Sequence, residues 1–406
     1  MKKTVFYLLF SLAFIVAGRS QTASEYYDLG CRLSKSGDPQ EAIIQYNKAL
    51  ALDPGMVLAY CGRGMEKLVL KDLEGGLADI YKALQIDPNN AIAYKDLGAA
   101  NVIKGEVEDA MDDLDKAISL NPKYAEAYAS RGYLNQFLGH VQKAVVDFDK
   151  ALELDAYIAG ARFERGKIKY EAKDLKGALE DFNMVVVDNP KYVDAYLYAG
   201  IINSDFENYK VALNDLDKAI ELNPNIAMAY EYRGRIKAGT NDIQGGLTDL
   251  NKALELNQKD YATFYFRGKL KSELNDGKGA IADFDKVIEM MPDLAEPYLY
   301  RGLEKANASD LQGAIVDFTK TIELNPKSLE GYYIRGQVKI KLKDSNGALD
   351  DFNKAIVIDP KCGKAYGERG VVNYNLGNKE AGCADLKKAL ELGVKEAGEL
   401  LGNYCK

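Results

Sequence analysis

The sequence predicts an all-α solenoid, a tandem array of eleven helix-turn-helix repeats closed by a short C-terminal capping helix. Three observations carry that prediction. Pro54, Pro88, Pro122, Pro190, Pro224, Pro292, Pro326 and Pro360 are separated by multiples of 34 residues, and Ala156, Gln258 and Val394 occupy the places where the series lacks a proline. Counted in repeats of that length from Ala23, position 8 is glycine in every copy, from Gly30 to Gly370. Positions 20, 24, 27 and 28 carry small, large, small and large apolar residues, the spacing of one face of an α-helix. A fixed period of this size marks a stacked-repeat architecture.

The elements follow in order. Lys2 and Lys3 precede the uncharged apolar run Val5–Ala17, and Gly18-Arg19-Ser20 supplies a small-x-small pattern. This reads as a signal peptide over residues 1–20, with Gln21 first in the mature chain and an exported, periplasmic or secreted product. An uncleaved anchor is the other reading, but a span needs about 20 apolar residues and the run is shorter. No cysteine lies near enough to the cleavage point for a lipoprotein. No later stretch is apolar enough to cross a bilayer, so no integral membrane segment is expected in the mature chain.

The repeats occupy 23–56, 57–90, 91–124, 125–158, 159–192, 193–226, 227–260, 261–294, 295–328, 329–362 and 363–396, without insertion or deletion. Glycine inside a helix costs about 1 kcal/mol relative to alanine. Its presence at every position 8 therefore predicts close approach of two backbones, with position 8 of the first helix meeting position 20 of the second. Position 4 is tyrosine in most copies, with Phe264 and Arg162 as the exceptions. Positions 15–16, often Gly-Asp or Lys-Asp, mark the turn, and the proline at position 32 ends the second helix. Residues 397–406 read as the cap, with Leu400, Leu401 and Tyr404 available to bury the last repeat's exposed face.

A period of 34 with an aromatic at 4, Gly at 8, Ala at 20 and 27 and Pro at 32 resembles the tetratricopeptide repeat, over residues 23–396. The resemblance implies a right-handed superhelix with first helices lining a concave groove. In the family, ligands lie against positions 2, 5, 9, 12 and 13 of the first helices. Here those positions hold Leu58, Met65, Leu68, Ile92, Val102, Ile103, Tyr133 and Phe137 toward the N-terminus, and Tyr265, Lys269, Tyr333 and Lys341 further on. An apolar groove suits an extended peptide or a partner helix; the same stripe is also what packing between adjacent first helices would require. The clamp that some family members use for terminal carboxylates does not appear in clean form.

Charge carries a second regularity. Position 7 is arginine in eight repeats, from Arg63 to Arg369, and each has an aspartate sixteen residues on, from Asp79 to Asp385. This predicts a structural ion pair within each hairpin. The formal charge of −8 becomes −11 once Lys2, Lys3 and Arg19 are removed. Such an acidic chain disfavours nucleic acid and anionic membrane as partners.

Five cysteines occur, in a compartment that permits disulfides. Antiparallel packing of the last second helix and the cap would bring Cys383 level with Cys405, the preferred bridge. The ending Gly382-Cys383-Ala384-Asp385-Leu386 with Tyr404-Cys405 also resembles the termini of bacterial repeat proteins of this kind. A Cys31–Cys61 bridge is a second possibility, with Cys362 left over. No C-x-x-C or Cys–His cluster points to zinc. The one histidine, His140, falls in a turn, so no Ser-His-Asp or Cys-His arrangement is available. Pairs such as Asp113/Asp115 and Asp147/Asp149 lie on helices, outside any calcium loop. Asn307-Ala308-Ser309 is an acceptor-like triplet for glycosylation. No catalytic, metal or cofactor residue is expected. The sequence therefore points to a non-catalytic protein–protein interaction scaffold, the alternative being an accessory or substrate-presenting subunit of an envelope enzyme or secretion complex. A carboxylate-only enzyme has no singled-out pair of acids to support it.

Overall fold

The computed structural model describes residues 21–405; the expected signal peptide at 1–20 lies outside the described residues. Among the latter there are 23 helices and no strand. The helices come in pairs, a first of 13 or 14 residues and a second of 13 or 14, starting with Ala23–Lys35 and Pro39–Leu52 and ending with Gly363–Asn375 and Lys379–Glu391. The helix Glu396–Tyr404 follows. The chain divides into two compact bodies, one reaching Ala195 and one beginning at Tyr196. Each is an all-α stack of helical hairpins. In both, first helices of successive repeats touch one another while second helices have no comparable mutual contact. The first-helix side is therefore the closed, inner side of each stack.

The punctuation has a local cause at both ends of each hairpin. Position 15 is left-handed in every repeat, with φ from 59° at Glu207 to 92° at Gly377, and seven of the eleven are not glycine. An aspartate at position 16 then caps the second helix: the Asp72 carboxylate accepts from the Gly75 N–H at 2.9 Å, and Asp174, Asp242, Asp276, Asp310 and Asp344 repeat the bond to Gly177, Gly245, Gly279, Gly313 and Gly347. A Cβ at those glycines would run into the capping carboxylate. At the far end the residue before the proline is extended, as at Asp53 (φ −135°, ψ 90°), the conformation that a following proline imposes. Its carboxylate accepts from Gly55 N–H at 2.9 Å, closing the loop to the next repeat.

The glycines at position 8 do mark a close approach, but in eight repeats the nearest partner is the side chain at position 24 rather than position 20. Where position 24 is aromatic, its ring fills the space a Cβ would need: 2.7 Å from Phe148 at Gly132, 2.7 Å from Phe352 at Gly336, and likewise at Gly30, Gly166, Gly268 and Gly302. Where position 24 is aliphatic, the carbonyl oxygen at position 20 also comes close, 3.0 Å from the Cβ site of Gly64, Gly234 and Gly370, while at Gly200 the Leu216 side chain is nearer at 2.8 Å. The ring reaches past residue 20 because it is longer than a branched aliphatic chain. Phe148, Phe182, Phe284, Phe318 and Phe352 are fully buried as a result.

All eight expected Arg–Asp pairs form, at 2.5–2.7 Å, and the Nε–H and Nη2–H of each arginine grip both carboxylate oxygens, as in Arg131–Asp147. Each arginine does more than the sequence suggested. Its Nη1–H donates to position 25 of the preceding repeat, for example Asp115 from Arg131 and Thr319 from Arg335. In seven repeats the guanidinium also lies 5.3–5.7 Å from the ring at position 4. In six repeats a lysine at position 11, such as Lys305 on Asp317 at 2.8 Å, completes the carboxylate's shell. The arginine is thus a staple within one hairpin and between two.

At the C-terminus, Cys383 and Cys405 are disulfide-bonded with Cα atoms 5.8 Å apart. Leu400, Leu401 and Tyr404 pack against Leu386 and Ala389, and the Tyr374 and Tyr404 rings lie 4.6 Å apart. Cys31, Cys61 and Cys362 are free thiols. Cys61 is buried, and burial pushes its thiol up to about 12, so it stays protonated and unreactive.

Candidate functional site

The first helices place the expected groove residues in three different environments. Leu68 is a correction: it is 7% exposed and belongs to the core with Ile80 and Leu97. The reason is its neighbour at position 20. Gly76 has no Cβ, and the Leu68 side chain occupies the vacated space, 2.6 Å from where that Cβ would be. In the next repeat position 20 is Ala110, and the equivalent Val102 is 43% exposed. Met65 and Ile92 are half-buried, Met65 against the same core and Ile92 against Cys61, Ala83 and Ala93.

In the second body, Tyr265, Lys269 and Tyr333 pack between neighbours. Tyr265 faces Tyr300 at 5.8 Å, and the Lys269 ammonium lies over both rings. Tyr333 contacts the Phe352 ring at 6.1 Å and accepts from the Gln337 amide at 3.0 Å. Burial pushes the phenols of Tyr133 and Tyr333 up to about 12, so neither ionises near neutrality and neither serves as a base.

What remains open is in the first body. Leu58 and Phe137 are exposed, as are Val102 and Ile103, whereas Tyr133, 40% exposed, packs its ring edge-on against Phe148 at 5.2 Å. To these the structure adds Val69, Leu70 and Leu138, which the reading of groove positions left out. The signal was available. Position 13, the last turn of the first helix, is Val69, Ile103 and Phe137 in three consecutive repeats, but Lys35 before them and Glu171 and Asp205 after. Their exposures are 63%, 56% and 78%. Val69 and Phe137 end their helices and Ile103 is one residue short of the end of its own, so these side chains lie toward the hairpin edge of repeats 2–4. Exposed apolar residues repeated in this way are what an interaction site presents.

The electrostatics of this region depart from the array. Repeat 3 has Leu97 at position 7, so Asp113 lacks the arginine; the Asn101 amide donates to it at 2.8 Å. Burial, reinforced by Asp109 and Asp112, pushes the Asp113 carboxyl up to about 6. Repeat 6, with Ala199 at position 7, does the same to Asp215. Asp96 is fully buried and paired with Lys95 at 2.5 Å, where burial raises its carboxyl above the ordinary range and Lys95 lowers it. His140 is exposed at the start of helix Val141–Leu154 and makes no capping hydrogen bond. Among the described residues no three His, Cys, Asp or Glu side chains gather as metal ligands, and no helix is long and apolar enough to cross a membrane.

No curated protein matches the sequence. Among solved structures, the Cut9–Hcn1 hetero-tetramer aligns at 14% identity over 95% of this chain and 90% of that one, with a TM-score of 0.48. A tetratricopeptide repeat protein from Parabacteroides merdae aligns at 21% identity over 62% and 97% (TM-score 0.43), and YrrB at 28% over 45% and 95% (TM-score 0.35). Models of the tetratricopeptide repeat match residues 23–56, 125–157, 329–362 and 363–392, and a further TPR-repeat model matches residues 100–139. These models cover less than half of the chain; with the 34-residue phase and the paired helices, they identify it as a tetratricopeptide-repeat protein.

Proposed function

We propose that this chain is a non-catalytic protein–protein interaction scaffold whose working surface is the hairpin edge of repeats 2–4. Repeats of this family bind protein or peptide partners, and the observation that carries the reading here is that Val69, Ile103 and Phe137, at one position of three consecutive repeats, are all exposed. Such side chains gain about 1.5–3 kcal/mol each when fully covered, so an unpartnered row of three is costly in water and useful in a complex. A partner contributing an apolar peptide or helix face would cover it. The basic start and apolar run at residues 1–20 support action after export. An enzyme partner would make the chain its accessory subunit.

The test is proximity cross-linking of the full-length chain in its native cells, followed by the doubly substituted Ile103→Asp/Phe137→Asp chain. The reading expects a reproducible cross-linked protein that the variant loses by tenfold or more while its helical circular dichroism is unchanged. Equal recovery with both chains would reject this surface.

A further inference from the structure

In repeats 2–11, positions 3 and 10 of the first helix face the second helix of the repeat before. Ala161 and Ile168 share one core with Ala144, Phe148, Ala151 and Leu152. Ala365 clusters in the same way with Ala355 and Ile356, and Val372 with Ala348 and Phe352. Position 3 is alanine, threonine, proline or glycine in these ten repeats, and positions 3 and 10 are buried in all of them. Where position 10 is charged, at Glu66 and Glu304, a serine at position 12 of the repeat before, Ser34 or Ser272, donates to the carboxylate.

Repeat 1 breaks both rules. Position 3 is Glu25 and position 10 is Arg32, with Asp28 between them at position 6. All three are exposed, and their spacing puts them on one side of Ala23–Lys35. Glu25 is held there by a reciprocal cap: the Thr22 N–H donates to its carboxylate at 2.8 Å, and the Glu25 N–H donates to the Thr22 hydroxyl at 3.2 Å. At the other end the helix Glu396–Tyr404 packs on Leu386 and Ala389. These are positions 24 and 27 of repeat 11, the surface a following first helix would take.

We infer that the charged side of the first helix is a stop against a second copy of this chain, which keeps the last hairpin of one copy from stacking on the first hairpin of another. That stack would bury the Glu25 carboxylate against Ala389 and Leu390, neither of which has a side-chain donor. It would set Arg32 against Gly382 and Leu386, which offer no side-chain acceptor. Burying a charge without a partner costs more than the apolar contact around it returns. The cap is one barrier to concatenation and the charged stripe a second. Neither depends on the partner surface proposed above.

The test compares the full chain with three variants by sedimentation velocity and cross-linking, with circular dichroism as the check that each is folded. Cys383→Ser/Leu401→Asp frees the cap. Glu25→Ala/Arg32→Leu gives the first helix the residue types of an interior repeat. The third variant carries all four substitutions. The inference expects the full chain to sediment as one species, and only the fourfold variant to join residues 23–35 of one copy to residues 379–391 of another. That cross-link should be at least tenfold more abundant there than with the cap freed alone, and restoring Glu25 should remove it. Equal head-to-tail cross-linking of the freed-cap and fourfold variants would overturn the stop. So would a folded fourfold variant that stays a single species, or a fourfold variant indifferent to the return of Glu25.

Discussion

Single residues decide which parts of the array are firm. Where Arg, Asp and the preceding repeat's position 25 meet, the carboxylate has a cationic partner; at Asp113 and Asp215 a neutral asparagine amide takes its place. Their carboxyls, at about 6 in the fold against about 3.9 in an unfolded chain, bind protons more readily when folded. Stability therefore rises as pH falls from above 6 toward 4, and the penalty is fully present at neutral pH. Asp113→Asn should accordingly raise the urea midpoint at pH 7.5 and have no effect at pH 4, since Asn101 keeps an acceptor. The buried Lys95–Asp96 pair makes the opposite point. Lys95→Met alone should cost about 3 kcal/mol by stranding a buried charge, while Lys95→Met with Asp96→Leu should be neutral or stabilising in the same urea titration.

At the scale of helices and turns, the amphipathic face, the turn at 15–16 and the stop at position 32 were legible because each has a chemical signature of one or two residues. Less legible was which side chain would fill a gap. Leu68 and Val102 share position 12, yet one is core and one surface; Leu68 fills the space left by Gly76 on the facing helix. A single-helix pattern does not carry that information; the pair of helices does. The left-handed turn residues Lys71, Lys173 and Lys343 (φ 64–66°) adopt a conformation that costs a non-glycine residue roughly 1–2 kcal/mol. Lys173→Gly should therefore raise stability by about 1 kcal/mol, after the glycine's own entropic cost, measurable as a higher Tm.

At the scale of the whole chain, stability is a sum over repeats and their neighbours rather than one global transition. Loss of the end should then be local. Removing the Cys383–Cys405 crosslink, across 22 residues, should cost about 3 kcal/mol and speed amide exchange in Gly363–Tyr404 while leaving Ala23–Leu154 unchanged. The array, its ion pairs and its cap could be read from phase alone, because each repeats or terminates the period. The proposed surface could be read only in part: Phe137 and Ile103 stood out as apolar and are exposed, but Leu68, Tyr265 and Lys269 were grouped with them in sequence and are packed in the fold.

The central claim is that the hairpin edge of repeats 2–4 is where a partner binds. Hydrogen–deuterium exchange of the full chain, free and with its cross-linked partner, tests it most directly. The account predicts protection concentrated at residues 66–73, 100–108 and 134–143. Protection confined to residues 196–406, or to the inner-face residues Tyr265, Lys269 and Tyr333, would contradict it.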